Sequence, residues 1–261
     1  MEIEFLKNTD SAREISKTLK SAWGSEALDQ DLKDIFLASN FNGGISILAR
    51  ENGEIVGISF CFPGYRKGKL YLYSHLTGVS HDSKGRGIGL SLKMAQKEWA
   101  LENGYDLIAW TFDPLMNMNA SLNIGKLGSI SRTYLSNFYG KIDDKINYGI
   151  STDRVVAEWW LRKPKQNVIR PERIYDLTED RQDFKNDAEY ETLGLKIPED
   201  FPKLKKRDME EAQRIRNLSA KMFSELFKEG YMICGYSKES FMYILSRNEK
   251  VLSIYAENPF R

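Results

Sequence analysis

Between Glu2 and Leu161 the apolar positions switch between a period of two and a period near that of a helix, and the switches predict an order of elements. Glu2 to Leu6 reads as a strand. Ile15, Leu19, Ala22 and Trp23 share one helical face behind the candidate caps Thr9, Asp10 and Ser11, and Gly24-Ser25 breaks that helix. Leu28, Leu32, Ile35 and Phe36 form a second stripe, followed by a turn at Asn40 to Gly44. Ile45 to Ala49 and Ile55 to Phe62 read as a hairpin about Glu51-Asn52-Gly53, ended by Pro63-Gly64. Tyr71 to Val79 alternates, with Tyr71, Tyr73, His75, Thr77 and Val79 on one face and Leu72, Ser74, Leu76 and Gly78 on the other. Ile88, Leu92, Ala95 and Trp99 make the stripe of a helix closed by Asn103-Gly104, with Lys93, Lys97 and Glu98 off that stripe. Tyr105 to Phe112 is apolar enough for a central strand and stops at Asp113-Pro114. A short helix around Met118 to Lys126, a strand-like run from Ser129 to Phe138, a long turn from Tyr139 to Gly149 and a strand from Arg154 to Leu161 complete this part.

The pattern then changes. Lys163 to Glu191 is charged, contains Pro164 and Pro171, and reads as a solvated linker, with Asn167 to Arg170 as a strand candidate. Tyr190 to Ile197 is strand-like, Asp208 caps a long helix striped by Met209, Ala212, Ile215, Ser219, Met222 and Leu226, and Gly230 closes it. Tyr231 to Gly235 and Phe241 to Leu245 are short strand candidates. The expected organisation is a domain over 1–162, a charged linker over 163–189 and a small α/β extension over 190–261.

Composition narrows the chemistry. The 261 residues carry a formal net charge of +1, so no bulk field selects nucleic acid or an anionic membrane. Two cysteines, Cys61 and Cys234, make neither a disulfide framework nor a zinc site, and no metal is expected. No apolar run reaches the ~18 residues of a membrane span, and the opening MEIEFLKNTD lacks a signal-peptide core, so a cytoplasmic protein is expected.

The most informative stretch follows the alternating strand. Gly85, Gly87 and Gly89 fall at every second position before a helix opening at about Ile88. Removing three Cβ atoms lets the backbone turn sharply and present N–H groups to an anion, beside the positive end of a helix dipole. The turn is not a Walker A loop, because Arg86 stands where that loop needs Lys followed by Ser or Thr, and a GxGxxG fingerprint begun at Gly85 would end at Leu90.

Lys84-Gly85-Arg86-Gly87-Ile88-Gly89, five residues after Val79, resembles the acyl-CoA loop of the GNAT superfamily of N-acyltransferases, with Lys84 in place of the usual Arg or Gln. The order of strand, two helices, three strands, helix, strand, helix and two strands resembles that superfamily over residues 1 to about 162. Tyr73-Ser74-His75, Trp110 to Leu115, Asn119 to Gly128, Tyr139-Gly140 and Thr152-Asp153-Arg154 before Trp159 are similar to a narrower bacterial and archaeal group with a C-terminal extension. The resemblance implies an α/β (α+β) fold with a mixed, mostly antiparallel central sheet flanked by helices. It implies transfer of an acetyl or succinyl group from acyl-CoA to a small-molecule amine, an amino acid above all, without nucleic acid or membrane partners and with a homodimer left open.

The same resemblance assigns candidate residues. The turn N–H groups of Lys84 to Leu90 would cradle the pyrophosphate, backbone from Leu76 to Val79 would pair with the pantetheine arm, and the Val79 N–H region would face the oxyanion. Asn119 and Asn123, at helical spacing, would lie against the CoA arm. His75 is the candidate base, beside Tyr73 at a substrate-facing position; the alternative for a lone strand histidine is a hydrogen-bonded core residue. The family's Tyr acid falls on Ile124 when Asn117, Ala120, Lys126 and Gly128 are matched, which leaves Tyr134 or Tyr139 as the acid, or no acid at all. Arg154 is a candidate fork for a substrate carboxylate, with Arg214 and Arg216 as further cations; an internal salt bridge with Asp153 is the alternative. A CoA-binding module without catalysis is the competing reading, as is a partner-binding protein that only uses the fold.

Overall fold

The computed structural model describes residues 1–6, 12–23, 32–140, 148–165, 170–179 and 189–260. The candidate caps Thr9 to Ser11, the break at Gly24-Ser25, Leu28, residues 141–147 of the long turn and residues 167–169 of the strand candidate lie outside them. Two compact units emerge, Met1–Trp110 and Thr111–Arg261.

The first unit holds β1 (Glu2–Phe5), α1 (Ala12–Trp23), α2 (Leu32–Phe41), β2 (Ile45–Glu51), β3 (Glu54–Arg66), β4 (Lys69–Val79), α3 (Ile88–Glu102) and the larger part of β5 (Leu107–Phe112). Its strands pair in sequence order, antiparallel except for β4 and β5, which are parallel. The hairpin forms where expected because Asn52 (φ +50°) and Gly53 (φ +83°) both take the left-handed conformation that a tight β-turn needs. On one face of the sheet Leu6, Leu48, Ile55, Ile58 and Phe60 pack with Ile15, Leu19 and Phe36 of the helices. On the other face α3 lies so close that a Cβ on Gly57 would stand 2.9 Å from Ile88 Cγ2, which explains a glycine inside a strand.

The buried face of α3 differs from the expected stripe. Ile88 and Leu92 are buried, but so are Lys93 and Gln96, while Ala95 and Trp99 are only half-buried. The helix is rotated so that two polar side chains meet polar residues of β3 and β4.

The second unit contains a helical turn α4 (Asn117–Ala120) that passes into a π-helical turn at Ser121–Lys126, then β6 (Tyr134–Leu135) antiparallel to β7 (Arg154–Trp160). A separate sheet has the order β10 (Met232–Ser237), β11 (Met242–Ser246), β9 (Thr192–Lys196), β8 (Arg173–Asp176). It is accompanied by α5 (Phe201–Arg207), α6 (Met209–Lys228) and α7 (Glu249–Ile254). The expected strand from Ser129 to Phe138 shrinks to β6 because its residues change partner: Ile130 bridges Glu158, while Ser131 bridges Ile233. The charged segment after Lys163 carries β8, parallel to β9, in which Tyr175 alone is buried. Helices α5 and α7 were missed; Asp200 caps the first by accepting from Lys203 N, and Asn248 caps the second through Lys250 N.

Candidate active site

The glycine turn is built in steps. Ser80 leads into a 3-10 turn at His81–Ser83, whose His81 N–H donates to Ser21 Oγ at 3.1 Å. Gly85 (φ +81°) and Gly87 (φ +85°) are both left-handed, and Gly87 is the residue from which α3 starts. A Cβ on either would meet nothing within 4 Å, so these glycines are required by dihedral angle and face open space. The first α3 bond runs from Ser91 N to Gly87 O at 3.1 Å. Among the described residues, the N–H groups of Gly85 to Leu90 therefore have no backbone acceptor. The expected Lys84 N–H does not belong to this row, because it donates to His81 O at 3.3 Å. Arg86 is drawn sideways, with Nη1 2.8 Å from Glu51 Oε2 at the end of β2. A row of donors without backbone acceptors at the positive end of a 15-residue helix, with open space at Gly85 and Gly87, fits the pyrophosphate of an acyl-CoA.

Beside this turn, β4 departs from simple alternation. Its register on β3 runs Phe62 with Tyr73 and Cys61 with Ser74, then Phe60 with Leu76, so His75 is an extra residue in a β-bulge. Tyr71 and Tyr73 consequently share a face with Leu76 and Gly78, whereas Leu72 and Ser74 share the other with Thr77 and Val79. The expected grouping of His75 with Thr77 and Val79 is thus corrected: the bulge exchanges the faces beyond it. The ladder from β4 to β5 stops at Leu72 with Ile108 and Tyr73 with Ala109. Beyond it, no strand among the described residues pairs with that edge of β4 through Leu76 to Val79.

The imidazole of His75 is exposed, yet its ring lies among aromatic faces: Phe60 at 6.0 Å, Phe62 at 5.8 Å and Tyr73 at 6.4 Å between centroids. Desolvation by these rings pushes its pKa below the ordinary histidine value. His81 projects into solvent with 80% of its side chain exposed and pairs with its neighbour Asp82 at 3.3 Å.

The second unit holds the remaining candidates. Asn119 is exposed and Asn123 is buried, so the π-helical turn that begins at Ser121 separates two residues expected on one face. Ile124, at the family's Tyr position, is buried. Tyr134 donates its hydroxyl proton to Asp153 Oδ2 at 2.5 Å and stacks on Phe223 at 6.1 Å. Burial and Asp153 together push its pKa far above the ordinary phenol value, so giving up that proton would cost a hydrogen bond to a buried carboxylate. Arg154 donates to Asp153 O at 2.8 Å, lies 4.0 Å from Asp113 Oδ2 and covers the Tyr139 ring. Arg214 is held by Glu211 one helical turn earlier. Arg216, 1% exposed, grips both oxygens of Asp113 at 2.9 and 2.5 Å. Both C-terminal arginines, expected as further cations for a substrate carboxylate, are thus engaged by carboxylates of the chain itself. Arg216 could have been found in the sequence, since it falls among Ala212, Ser219 and Phe223 on the buried stripe of α6.

Among the described residues, no three His, Cys, Asp or Glu side chains are grouped to hold a metal, and no helix is long and apolar enough to cross a membrane. Residues 10–122 match the acetyltransferase (GNAT) family profile. The comparison with curated proteins returns no match. Among solved structures, an aminoglycoside 6'-acetyltransferase type Ii is 18% identical with a TM-score of 0.50, covering 66% of this chain and 100% of its own. The YncA protein of Salmonella typhimurium, solved with its cofactor acetyl-CoA, is 15% identical with a TM-score of 0.51, covering 64% and 98%. At these identities the likeness is one of fold, and it agrees with the profile. The glycine turn, the open strand edge and the mostly antiparallel sheet agree with that match, and residues 10–122 form a region similar to GNAT acetyltransferase domains.

Proposed function

We propose that the protein moves an acetyl or succinyl group from acyl-CoA to the amine of a small molecule, an amino acid in particular, by direct attack within a ternary complex in the cytoplasm. The observation that carries this reading is the row of N–H groups without backbone acceptors from Gly85 to Leu90 beside the open edge of β4. The pyrophosphate sits on the row, and the pantetheine arm lies along Leu76 to Val79 as an added strand. A backbone N–H of that edge faces the thioester oxygen as it gains charge. His75 takes the proton from the acceptor ammonium, beside Tyr73. The free amine attacks the thioester carbon, the C–N bond forms, the C–S bond breaks, and CoA leaves as a thiolate. A thiolate leaves readily without a proton, so the committed proton of Tyr134 is not needed. Arg154 supplies the fork for the acceptor carboxylate.

Thiol release from acetyl-CoA tests the base. His75→Ala should lower kcat by about 10²–10⁴-fold with acyl-CoA affinity unchanged. Because desolvation lowers the pKa of His75, the wild-type rate should rise with pH through a midpoint below ~6.5 and be level above neutrality. A variant with the wild-type rate and profile would reduce His75 to a packing residue. Amino acids should exceed their decarboxylated amines by about ten- to a hundred-fold in kcat/KM, the worth of one charge-assisted carboxylate pair. Equal use of the two would remove Arg154 from the proposal. The burial of Ile124 at the usual acid position favours a second reading, a CoA-binding module. Tight CoA binding without thiol release across a panel of amines would establish it.

A further inference from the structure

Beneath β4, on the face opposite His75's neighbours Tyr73 and Leu76, lies a sealed polar seam. Lys93 of α3 is 3% exposed, donates from Nζ to Ser74 Oγ at 2.8 Å and stands 3.8 Å from the centroid of the Trp110 ring. Gln96, one turn along, donates to the same Ser74 oxygen at 3.1 Å and to Ser59 Oγ, which also meets Thr77 Oγ1 at 3.1 Å. Among the described residues, no carboxylate comes within 4.0 Å of the Lys93 ammonium. The titratable neighbour is the buried thiol of Cys61 on β3. Burial pulls Lys93 down to about 8, against a smaller opposing pull from Cys61, and pushes Cys61 up to about 11.

A cation in such a place is costly. A fully desolvated ammonium without a counterion loses its hydration, and one aromatic face returns only part of it. A methionine would fill the same space without that cost. The position of the charge is therefore informative. Ser74 is the last residue of β4 before the bulge at His75, and the edge left open past the β5 ladder begins there.

We infer that Lys93 is a positioning residue for acyl transfer: its ammonium, fixed on Ser74 beneath the bulge, holds positive potential under the open edge of β4, where the thioester oxygen becomes an oxyanion. The charge is aimed in advance, in a dry site, at a place where negative charge appears only in the transition state. It thus favours kcat and leaves acyl-CoA binding alone. The inference rests on the reading of that edge as the acyl-CoA edge.

The test uses the full chain with Lys93→Met and Lys93→Gln, the latter keeping a donor for Ser74 without the charge. Lys93→Met should raise the Tm at pH 7, because the desolvation cost is gone, and lower kcat by about ten- to a hundred-fold with KM for acetyl-CoA changed by less than about two-fold. Lys93→Gln should lower kcat to the same extent. If the methionine variant does not fold, the glutamine variant decides the question alone. Wild-type kcat in either folded variant overturns the inference. So does a fall in kcat that comes with a lower Tm and a raised KM, the signature of a packing role. Failure of the underlying reading looks different: Gly89→Leu, at the glycine turn, would then bind acetyl-CoA as the wild type does.

Discussion

The Asp113–Arg216 pair makes the sharpest quantitative expectation, because its two members are unequally protected. Arg216 is 1% exposed and cannot shed its charge; burial opposes that charge, and Asp113, together with Asp153 and Tyr134, more than offsets the opposition, holding the pKa above the ordinary arginine value. Its Nε has no partner, so the two bonds to Asp113 and the Phe201 ring at 5.0 Å are its main compensation. Asp113 is 15% exposed, accepts from Leu115 N at 2.9 Å and has Arg154 at 4.0 Å as a second cation. Asp113→Asn strands a buried guanidinium and should cost about 3–5 kcal/mol. Arg216→Met leaves a carboxylate with a hydrogen bond, a distant cation and some water, and should cost about 1–3 kcal/mol. The double variant strands nothing and should lie within about 1–2 kcal/mol of wild type, which makes the cycle strongly non-additive. Urea denaturation followed by circular dichroism at pH 7 measures all four proteins; at about 2–4 °C per kcal/mol, Asp113→Asn should melt roughly 6–20 °C lower. If Arg216→Met proved the more damaging single change, or the two effects simply added, the account of who protects whom would be wrong.

Two further expectations concern the first unit. Gly87→Ala should cost about 1–2 kcal/mol through its left-handed dihedral alone, while Gly89→Ala, in the first turn of α3 with only Val79 Cγ2 at 3.9 Å from the new Cβ, should be neutral or stabilising; thermal unfolding separates them. Lys93 binds its proton less readily folded than unfolded, so between pH 8 and 10.5 the unfolded chain holds the extra proton and the native state gains stability as pH rises. Relative to Lys93→Met, the wild type should recover about 3 kcal/mol across that window in denaturant titrations, and parallel curves for the two would refute the burial of a charge.

Some of this was legible in the chain and some was not, for identifiable reasons. The turn at Asn52-Gly53 and the glycines at 85 and 87 declare themselves because a positive φ is a local demand that few residues meet. The bulge at His75 is a property of two strands, and no periodicity within β4 reveals which residue its partner skips. Lys93 escapes the sequence pattern because apolar spacing reports which residues prefer burial, whereas it is buried against the Ser74 hydroxyl of β4 and the Trp110 ring. The partnership of Asp113 and Arg216 spans 103 positions, so sequence shows a strand stop and a helix charge without the bond between them. β8 stayed hidden because a short strand with one buried side chain carries almost no alternating signal.

The bulge has a consequence for how this protein could change. Remove His75 on paper and every other residue of β4 keeps its partner and its face, because the strand reads as a regular alternation with one residue inserted. The histidine therefore stands at a place the sheet does not need, with its ring outside the buried interior. Most positions in a central strand couple chemistry to folding, so that any new side chain must first be accommodated. Here the two are separable. Replacing the histidine with a carboxylate, an amide or a phenol should leave folding nearly untouched, so under the proposal that His75 is the base, this single codon is where the working pH would be retuned independently of the scaffold.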